Sequence, residues 1–195
     1  SLTSIILPAG VTSIEESAFA DCDALTDVYY RGTEEEWSAV TIETGNDPLL
    51  NATMHYRTVT ASGQCGDSVN YVLYNDGALV ISGEGDMWNW SYGDQPWYDY
   101  RSDIVSVTVE SGVTRVGNYA FWGFYGITSI SLPNGLISIG TTAFSNCTAL
   151  TSISLPDGLT TLGATAFSQC FDLTSISLPD SLKSIGDSAF STCSS

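Results

Sequence analysis

Basic side chains are scarce in this sequence. Lys and Arg together number 5 against 22 Asp and Glu, which gives a formal net charge of −17 at pH 7. A surface of this sign repels the phosphates of nucleic acids and of anionic membranes, so we expect neither as a partner. The acidity has two interpretations. It attracts calcium or a basic partner, or it keeps the protein soluble in an extracellular setting, and we favour solubility.

Long apolar runs are also missing. The sequence has no stretch of about eighteen consecutive apolar residues, so we expect no membrane insertion. Nevertheless, 43% of the 195 residues are hydrophobic, which is enough for a packed core. The chain begins and ends within repeated sequence, and we therefore expect it to be a segment of a longer protein.

Recognisable catalytic motifs are also missing, since the many Asp and Glu residues include no pair whose spacing indicates acid–base catalysis. His55 is the one histidine, and no Ser or Cys stands in a nucleophile motif beside it, so we interpret it as a structural histidine. Gly83-Glu84-Gly85 lacks the lysine and the strand-to-helix setting of a phosphate loop. Glu34, Glu35 and Glu36 would point in different directions on a helix, which disfavours a metal site. We expect no enzyme activity, no cofactor and no metal.

A repeat dominates what is present. An Ala-Phe pair recurs at a step of 23 residues, at Ala120-Phe121, Ala143-Phe144, Ala166-Phe167 and Ala189-Phe190. One unit of this size cannot bury its own apolar side, whereas stacked copies bury a continuous core. The period therefore predicts a solenoid.

Within each unit, LTSISLP alternates apolar and polar residues, as a short strand does, and the proline ends it. A glycine then allows a sharp corner, and TTAFSNC has the length of about one helical turn. The predicted fold class is α/β, a solenoid of 23-residue units with short parallel strands and single-turn helices.

The repeat has the pattern L-x-x-I-x-L-P-x-x-L-x-x-I-G-x-x-A-F-x-x-C. It closely resembles the BspA-type (Treponema pallidum-type) leucine-rich repeat, directly over residues 1–30 and 104–195. Known members are mostly secreted or surface-attached bacterial proteins, and some are adhesins that bind host matrix proteins or other cells. The resemblance thus implies a leucine-rich-repeat solenoid at the bacterial cell surface or outside the cell, with a role in protein binding or adhesion.

Four of the five cysteines occupy one position of the repeat, namely Cys22, Cys147, Cys170 and Cys193. No CxxC spacing indicates zinc or redox chemistry. Stacked thiols would be near enough to form a disulfide. We favour small buried apolar side chains instead, because Phe124 stands at the same position in another repeat.

The sequence divides into three segments. Residues 1–59 are predicted to end a first array with a terminating unit, which contains a capping box and short helix from Thr33. Residues 60–103 are predicted to form a β-hairpin at Asn75-Asp76-Gly77 and an aromatic-rich cap, and a polar link over residues 58–63 marks the domain boundary. Residues 104–195 are four repeats. The open edge of the last repeat would contact a following repeat, a partner chain or a crystal neighbour.

Two candidate binding surfaces follow from these segments. The first is an aromatic cluster, which suits sugar faces or a protein hot spot unless its rings plug the end of the solenoid, as we favour for most of them. The second is the outward face of the strands, which carries hydroxyls but no aromatic or arginine anchors. The candidate residues are Trp88, Trp90, Tyr92, Trp97, Tyr98 and Tyr100 for the cluster, and Ser131, Ser154 and Ser177 for the strand face.

These observations favour a non-catalytic extracellular binding or adhesion module that engages host or microbial surface proteins or glycans. A structural spacer that displays other domains of a larger surface protein is the alternative from a different class. A targeting module of a larger enzyme is the third.

Overall fold

A computed structural model describes residues 1–193, which form two compact units. The first unit is Ser1–Thr58 and the second begins at Val59. Residues 59–64 form a strand of the second unit, so most of the stretch predicted to be a polar link belongs to a sheet. Among the described residues, no helix has the length and apolarity needed to cross a bilayer.

The first unit is built from short strands and two five-residue helices within the described chain. The bounds are β1 (Ser4–Leu7), β2 (Ser13–Ile14), β3 (Asp27–Tyr30), α1 (Glu34–Ser38), β4 (Thr41–Ile42), α2 (Asp47–Asn51) and β5 (Thr53–Tyr56). Strands β1, β3 and β5 form a parallel sheet in that order, and β2 pairs in parallel with β4.

Local hydrogen bonds explain where this unit departs from the repeat. The Thr33 hydroxyl accepts a hydrogen bond from Glu36 N, and Glu36 Oε2 accepts one from Thr33 N at 2.7 Å, which confirms the predicted capping box. Ahead of α2, the buried Asn46 side chain donates to the carbonyls of Glu15 and Glu43 and accepts from Phe19 N. Asn46 therefore joins the last coil of this unit to the coil before it.

The second unit consists of an antiparallel hairpin sheet followed by stacked coils. A 3₁₀ turn, Tyr98–Tyr100, lies shortly before the first of the four repeats. The bounds are β6 (Val59–Gln64), β7 (Val69–Tyr74), β8 (Ala78–Gly83), β9 (Gly85–Asp86), β10 (Ser106–Val109), β11 (Val113–Val116), β12 (Ser129–Ser131), β13 (Ser138–Ile139), β14 (Ser152–Ser154), β15 (Thr161–Leu162), β16 (Ser175–Ser177) and β17 (Ser184–Ile185).

Parallel pairing at a step of 23 residues confirms the predicted solenoid. One sheet has the order β12-β10-β8-β7-β6, with the hairpin strands antiparallel and the rest parallel. A second, fully parallel sheet has the order β17-β15-β13-β11-β9, and β14 pairs with β16. In register, Val107 lies opposite Ile130, and Leu162 lies opposite Ile185. Strand β8 of the hairpin thus pairs directly with β10, the first strand of the repeats.

The segment after each repeat glycine differs from the predicted helical turn. Thr142 and Asn146 have positive φ angles of 58° and 64°, so the chain makes successive turns there. A left-handed residue interrupts a right-handed helix, and its cost is offset by bonds between coils. Phe144 N donates to Ala166 O at 2.8 Å, and Thr142 N donates to Ala164 O at 2.9 Å. The repeats therefore gain a third ladder of backbone hydrogen bonds besides the two sheets.

The repeat glycines allow neighbouring coils to approach closely. A Cβ added to Gly163 would lie 2.4 Å from Thr141 N, and one added to Gly140 would lie 2.6 Å from Asn118 N. Neither glycine has a positive φ angle. Lack of a side chain, rather than conformational freedom, is what these positions require.

All five cysteines are free thiols. Cys147 Sγ donates a hydrogen bond to Phe121 O at 3.3 Å, and Cys170 Sγ donates to Phe144 O at 3.2 Å, in each case to the preceding coil. Both side chains are fully buried. The favoured interpretation, small buried side chains that fill a corner, describes Cys147 and Cys170.

Candidate binding site

The aromatic cluster of the second unit is divided between core and surface. Trp97 is fully buried, its Nε1 donates to Ala120 O at 2.8 Å, and its ring packs edge-on against Tyr71. This position corrects the prediction for Trp97, which has no surface to offer a ligand. Trp90 and Tyr100 are half-buried and pack against the same core.

Trp88 and Tyr92 are the exposed members of the predicted cluster, and they face different surroundings. The side chain of Trp88 is 40% exposed, and its Nε1 donates to Asp67 Oδ1 at 2.9 Å. Tyr92 is 62% exposed and lies against Trp122, with ring centroids 4.4 Å apart. The cluster is therefore two surfaces, and in the second a ring of the cap packs against an aromatic ring from a repeat.

Four rings form what we call the aromatic patch, namely Tyr92, Tyr98, Trp122 and Tyr125. The centroids of Tyr92 and Tyr98 are 6.0 Å apart, and the Arg101 guanidinium lies 4.1 Å above the Tyr98 ring. Tyr125 is 47% exposed. The patch thus combines partly exposed rings and one arginine, the side chains that commonly dominate protein interfaces.

The Tyr98 hydroxyl of the patch remains neutral at physiological pH. The hydrogen bond with Tyr92 raises the pKa of Tyr98 above its ordinary value of 10.0, and burial and the nearby Tyr125 raise it further. Arg101 acts in the opposite direction and lowers that pKa. A neutral phenol donates as well as accepts hydrogen bonds, so the Tyr98 ring offers both an apolar face and a polar edge.

Sequence reasoning missed Trp122 and Tyr125 because they lie outside the aromatic-rich segment. One signal was available: Trp122 occupies the repeat position at which later repeats have Ser145, Ser168 and Ser191. A large ring at a position otherwise held by serine indicates a local surface rather than the shared core.

The strand face holds its three predicted serines as exposed side chains. Ser131 lies in β12, and Ser154 in β14 is in register with Ser177 in β16. Neighbouring hydroxyls are partly used inside the fold, since Thr128 Oγ1 and Thr174 Oγ1 donate to carbonyls of the preceding coil at 3.3 Å. The structure places no aromatic side chain between the described residues Thr128 and Ser131, or at the same positions of the next two repeats.

The first unit has a different strand face, which sequence reasoning also missed. Ile6, Tyr29 and His55 lie side by side in register on β1, β3 and β5. The Tyr29 and His55 rings are stacked with centroids 4.4 Å apart, and His55 Nε2 lies 2.8 Å from Asp27 Oδ1. The predicted structural histidine is thus paired with a carboxylate on a partly exposed face. Across residues 1–193, no group of three potential metal-ligating side chains is found.

The chain is similar to known proteins both in its repeat sequence and in its structure. The family model described as "BspA type Leucine rich repeat region" matches residues 1–39 and 96–195 in 6 copies. No curated protein matches the chain in sequence. The leucine-rich repeat protein of T. pallidum, a solved structure, is 27% identical with a TM-score of 0.52, and the match covers 67% of each chain.

Two further solved structures show the same fold. A leucine-rich cell surface protein from Faecalibacterium prausnitzii is 24% identical, with a TM-score of 0.54 over 98% of this chain and 46% of that one. A leucine-rich repeat protein from Eubacterium ventriosum is 24% identical, with a TM-score of 0.50 over 64% and 43%. The match therefore spans less than half the length of either protein. Since the family match covers more than half of the residues and the coils pair at its period, the chain belongs to the BspA-type leucine-rich repeat family.

Proposed function

We propose that this chain is a non-catalytic extracellular binding module whose aromatic patch contacts a protein on a host or microbial surface. The exposure of Tyr92, whose ring packs on that of Trp122, is the observation that carries the proposal. Exposed aromatic rings that pack on one another are already partly ordered, so binding costs them less conformational entropy. The family's known surface and adhesion proteins support the extracellular location.

The acidic surface agrees with this role. A net charge of −17 disfavours nucleic acid and anionic lipid, and it favours encounter with basic or neutral protein surfaces. Arg101, held on the Tyr98 ring, adds one cation at the patch. The expected partner surface is therefore apolar at its centre, with polar groups around it.

Binding of the chain to immobilised fibronectin, fibrinogen and laminin tests the proposal. Tyr92→Ala and Trp122→Ala are expected to weaken binding to at least one of these proteins by about tenfold or more, the range of interface hot spots. Tyr29→Ala is the matched control, because Tyr29 is an exposed ring of the other unit (45% exposed). Failure to bind any of the three proteins, or an equal loss in the control, would overturn the proposal.

A structural spacer is the second candidate function. The strand face of the repeats favours it, since Ser131, Ser154 and Ser177 lie in a surface of hydroxyls without anchoring side chains. Under this alternative the repeats separate or display other domains, and neither Tyr92→Ala nor Trp122→Ala changes any binding.

A further inference from the structure

A polar cleft of about 480 Å³ lies beside Trp88, and no residue of the aromatic patch lines it. It is lined by β9, the edge strand of the second sheet, and by residues that include Asp67 and Arg115. Past Arg115, a shallow groove of about 410 Å³ continues over β11, β13 and β15. The cleft and the groove share Arg115 and together extend across several coils. No residue of the aromatic patch lines either of them.

The Trp88 ring is held in place at this cleft. Its Nε1 is bonded to Asp67 Oδ1, its backbone N donates to Cys65 O at 2.8 Å, and Trp90 packs edge-on against it at 6.0 Å. With 40% of the side chain exposed, part of the ring remains open to a ligand. A fixed, half-exposed indole is a flat apolar platform that needs no ordering on binding.

Hydrogen-bonding groups surround the platform. Arg115 Nη2 donates to Asn89 Oδ1 at 2.9 Å, and Thr114 Oγ1 donates to Asp86 Oδ1 at 2.7 Å. Within the described chain, these bonds leave Asn89 Nδ2 and the second carboxylate oxygens of Asp67 and Asp86 without a protein partner. Donors and acceptors therefore lie close together at the ring, as ligands with many hydroxyls require.

The polar groups also extend in a line. Asp86, Arg115, Ser138 and Thr161 are successive partners in the second sheet, one from each strand. Parallel strands lie roughly 4.8 Å apart, so the line offers one polar side chain at each such step. A chain-like ligand matches this arrangement better than a single small molecule.

Charge restricts the ligand further. Asp67, Glu84 and Asp86 line the cleft with a single arginine, so anionic sugars meet net repulsion. We propose that the cleft binds a linear, uncharged oligosaccharide, with one sugar ring stacked on Trp88 and neighbouring hydroxyls bonded to Asp67, Asn89 and Arg115. This ligand is additional to the protein contact at the aromatic patch.

Isothermal titration calorimetry with cellohexaose, maltohexaose, mannohexaose and chitohexaose tests the proposal. At least one of the four hexasaccharides is expected to bind with a Kd of about 1 mM or lower. The trisaccharide of the same sugar should bind more weakly, because a shorter chain spans fewer coils. Trp88→Ala is expected to weaken binding by about tenfold, which corresponds to about 1.4 kcal/mol. Trp88→Phe, which keeps a flat ring, should lose less, and Tyr29→Ala should not change binding.

Three results would overturn the proposal. The first is that none of the four hexasaccharides binds. The second is that a galacturonate hexasaccharide binds as tightly as the best uncharged one, since the acidic cleft should reject it. The third is that Trp88→Ala and Tyr29→Ala have the same effect. If near-ultraviolet circular dichroism shows that Trp88→Ala does not fold, Trp88→Phe and Asn89→Ala are compared with Tyr29→Ala instead. The proposal is then contradicted if both variants bind the oligosaccharide as tightly as the unchanged protein.

Discussion

The ring of Trp97 lies almost parallel to that of Phe121, with centroids 5.8 Å apart and planes inclined by 15°. The row continues through Phe144, Phe167 and Phe190 at centroid distances of 5.2, 5.3 and 5.7 Å. A tryptophan from the cap thus occupies the place that phenylalanine has in each repeat. The cap and the coils share one continuous hydrophobic core.

Phe144 should be among the most costly side chains to truncate. It is fully buried between two other rings, so Phe144→Ala is expected to lower the free energy of unfolding by about 3–5 kcal/mol. Phe190→Ala is the matched control and should cost less, because Phe190 is half-buried and has one stacked neighbour among the described rings. Urea unfolding measures both. Equal losses would contradict this account of the core.

The spacing between coils should be sensitive to a single methyl group at a repeat glycine. In Gly163→Ala the new Cβ would lie 2.4 Å from Thr141 N, so the coils must move apart, and we expect a loss of about 1–3 kcal/mol. In Gly135→Ala nothing lies within 4 Å of the new Cβ, and stability should be nearly unchanged. Thermal unfolding of the two variants compares them directly, and similar melting temperatures would mean that the glycine position is not tightly packed.

Much of the fold could be predicted because the period determines which residues become neighbours. A step of 23 residues places Val107 beside Ile130 whatever the local conformation, and the Asp76-Gly77 turn determines the hairpin. The turns around Thr142 could not be predicted in the same way. Their left-handed residues are stabilised by hydrogen bonds to the next coil, which local sequence preferences do not report.

The binding surfaces were harder to predict, since burial at the end of a solenoid depends on packing rather than on residue type. Trp88 and Trp97 lie in the same short segment, yet one ring is exposed and the other fully buried. The aromatic patch also needs Trp122 from a repeat, which approaches Tyr92 only after the cap folds onto the first coil. Proximity of this kind has no signature along the chain.

The buried thiols should be almost unreactive in the folded protein. Burial raises the pKa of Cys170 to about 12, and burial also raises the pKa of Cys147 well above its ordinary value. At pH 8 about one Cys170 thiol in ten thousand is then ionised, and the thiolate is the reactive form. Iodoacetamide followed by mass spectrometry should modify the half-buried Cys22 well before Cys147 and Cys170. In urea all three should react at similar rates, and early labelling of Cys170 without urea would contradict the burial.

The pair formed by Asp27 and His55 should be visible in the acid titration of the first unit. Hydrogen bonds from His55 and, to a smaller extent, from Thr26 hold the pKa of Asp27 below its ordinary value of 3.8. Because the folded pKa is lower than the unfolded one, the pair stabilises the fold above about pH 4, and this contribution is lost as the pH falls through the folded pKa. His55→Ala should move the pKa of Asp27 up towards 3.8, and Thr26→Val should move it less. Nuclear magnetic resonance of the Asp27 carboxyl carbon measures both shifts, and an unchanged pKa in His55→Ala would show that the 2.8 Å contact does not hold in solution.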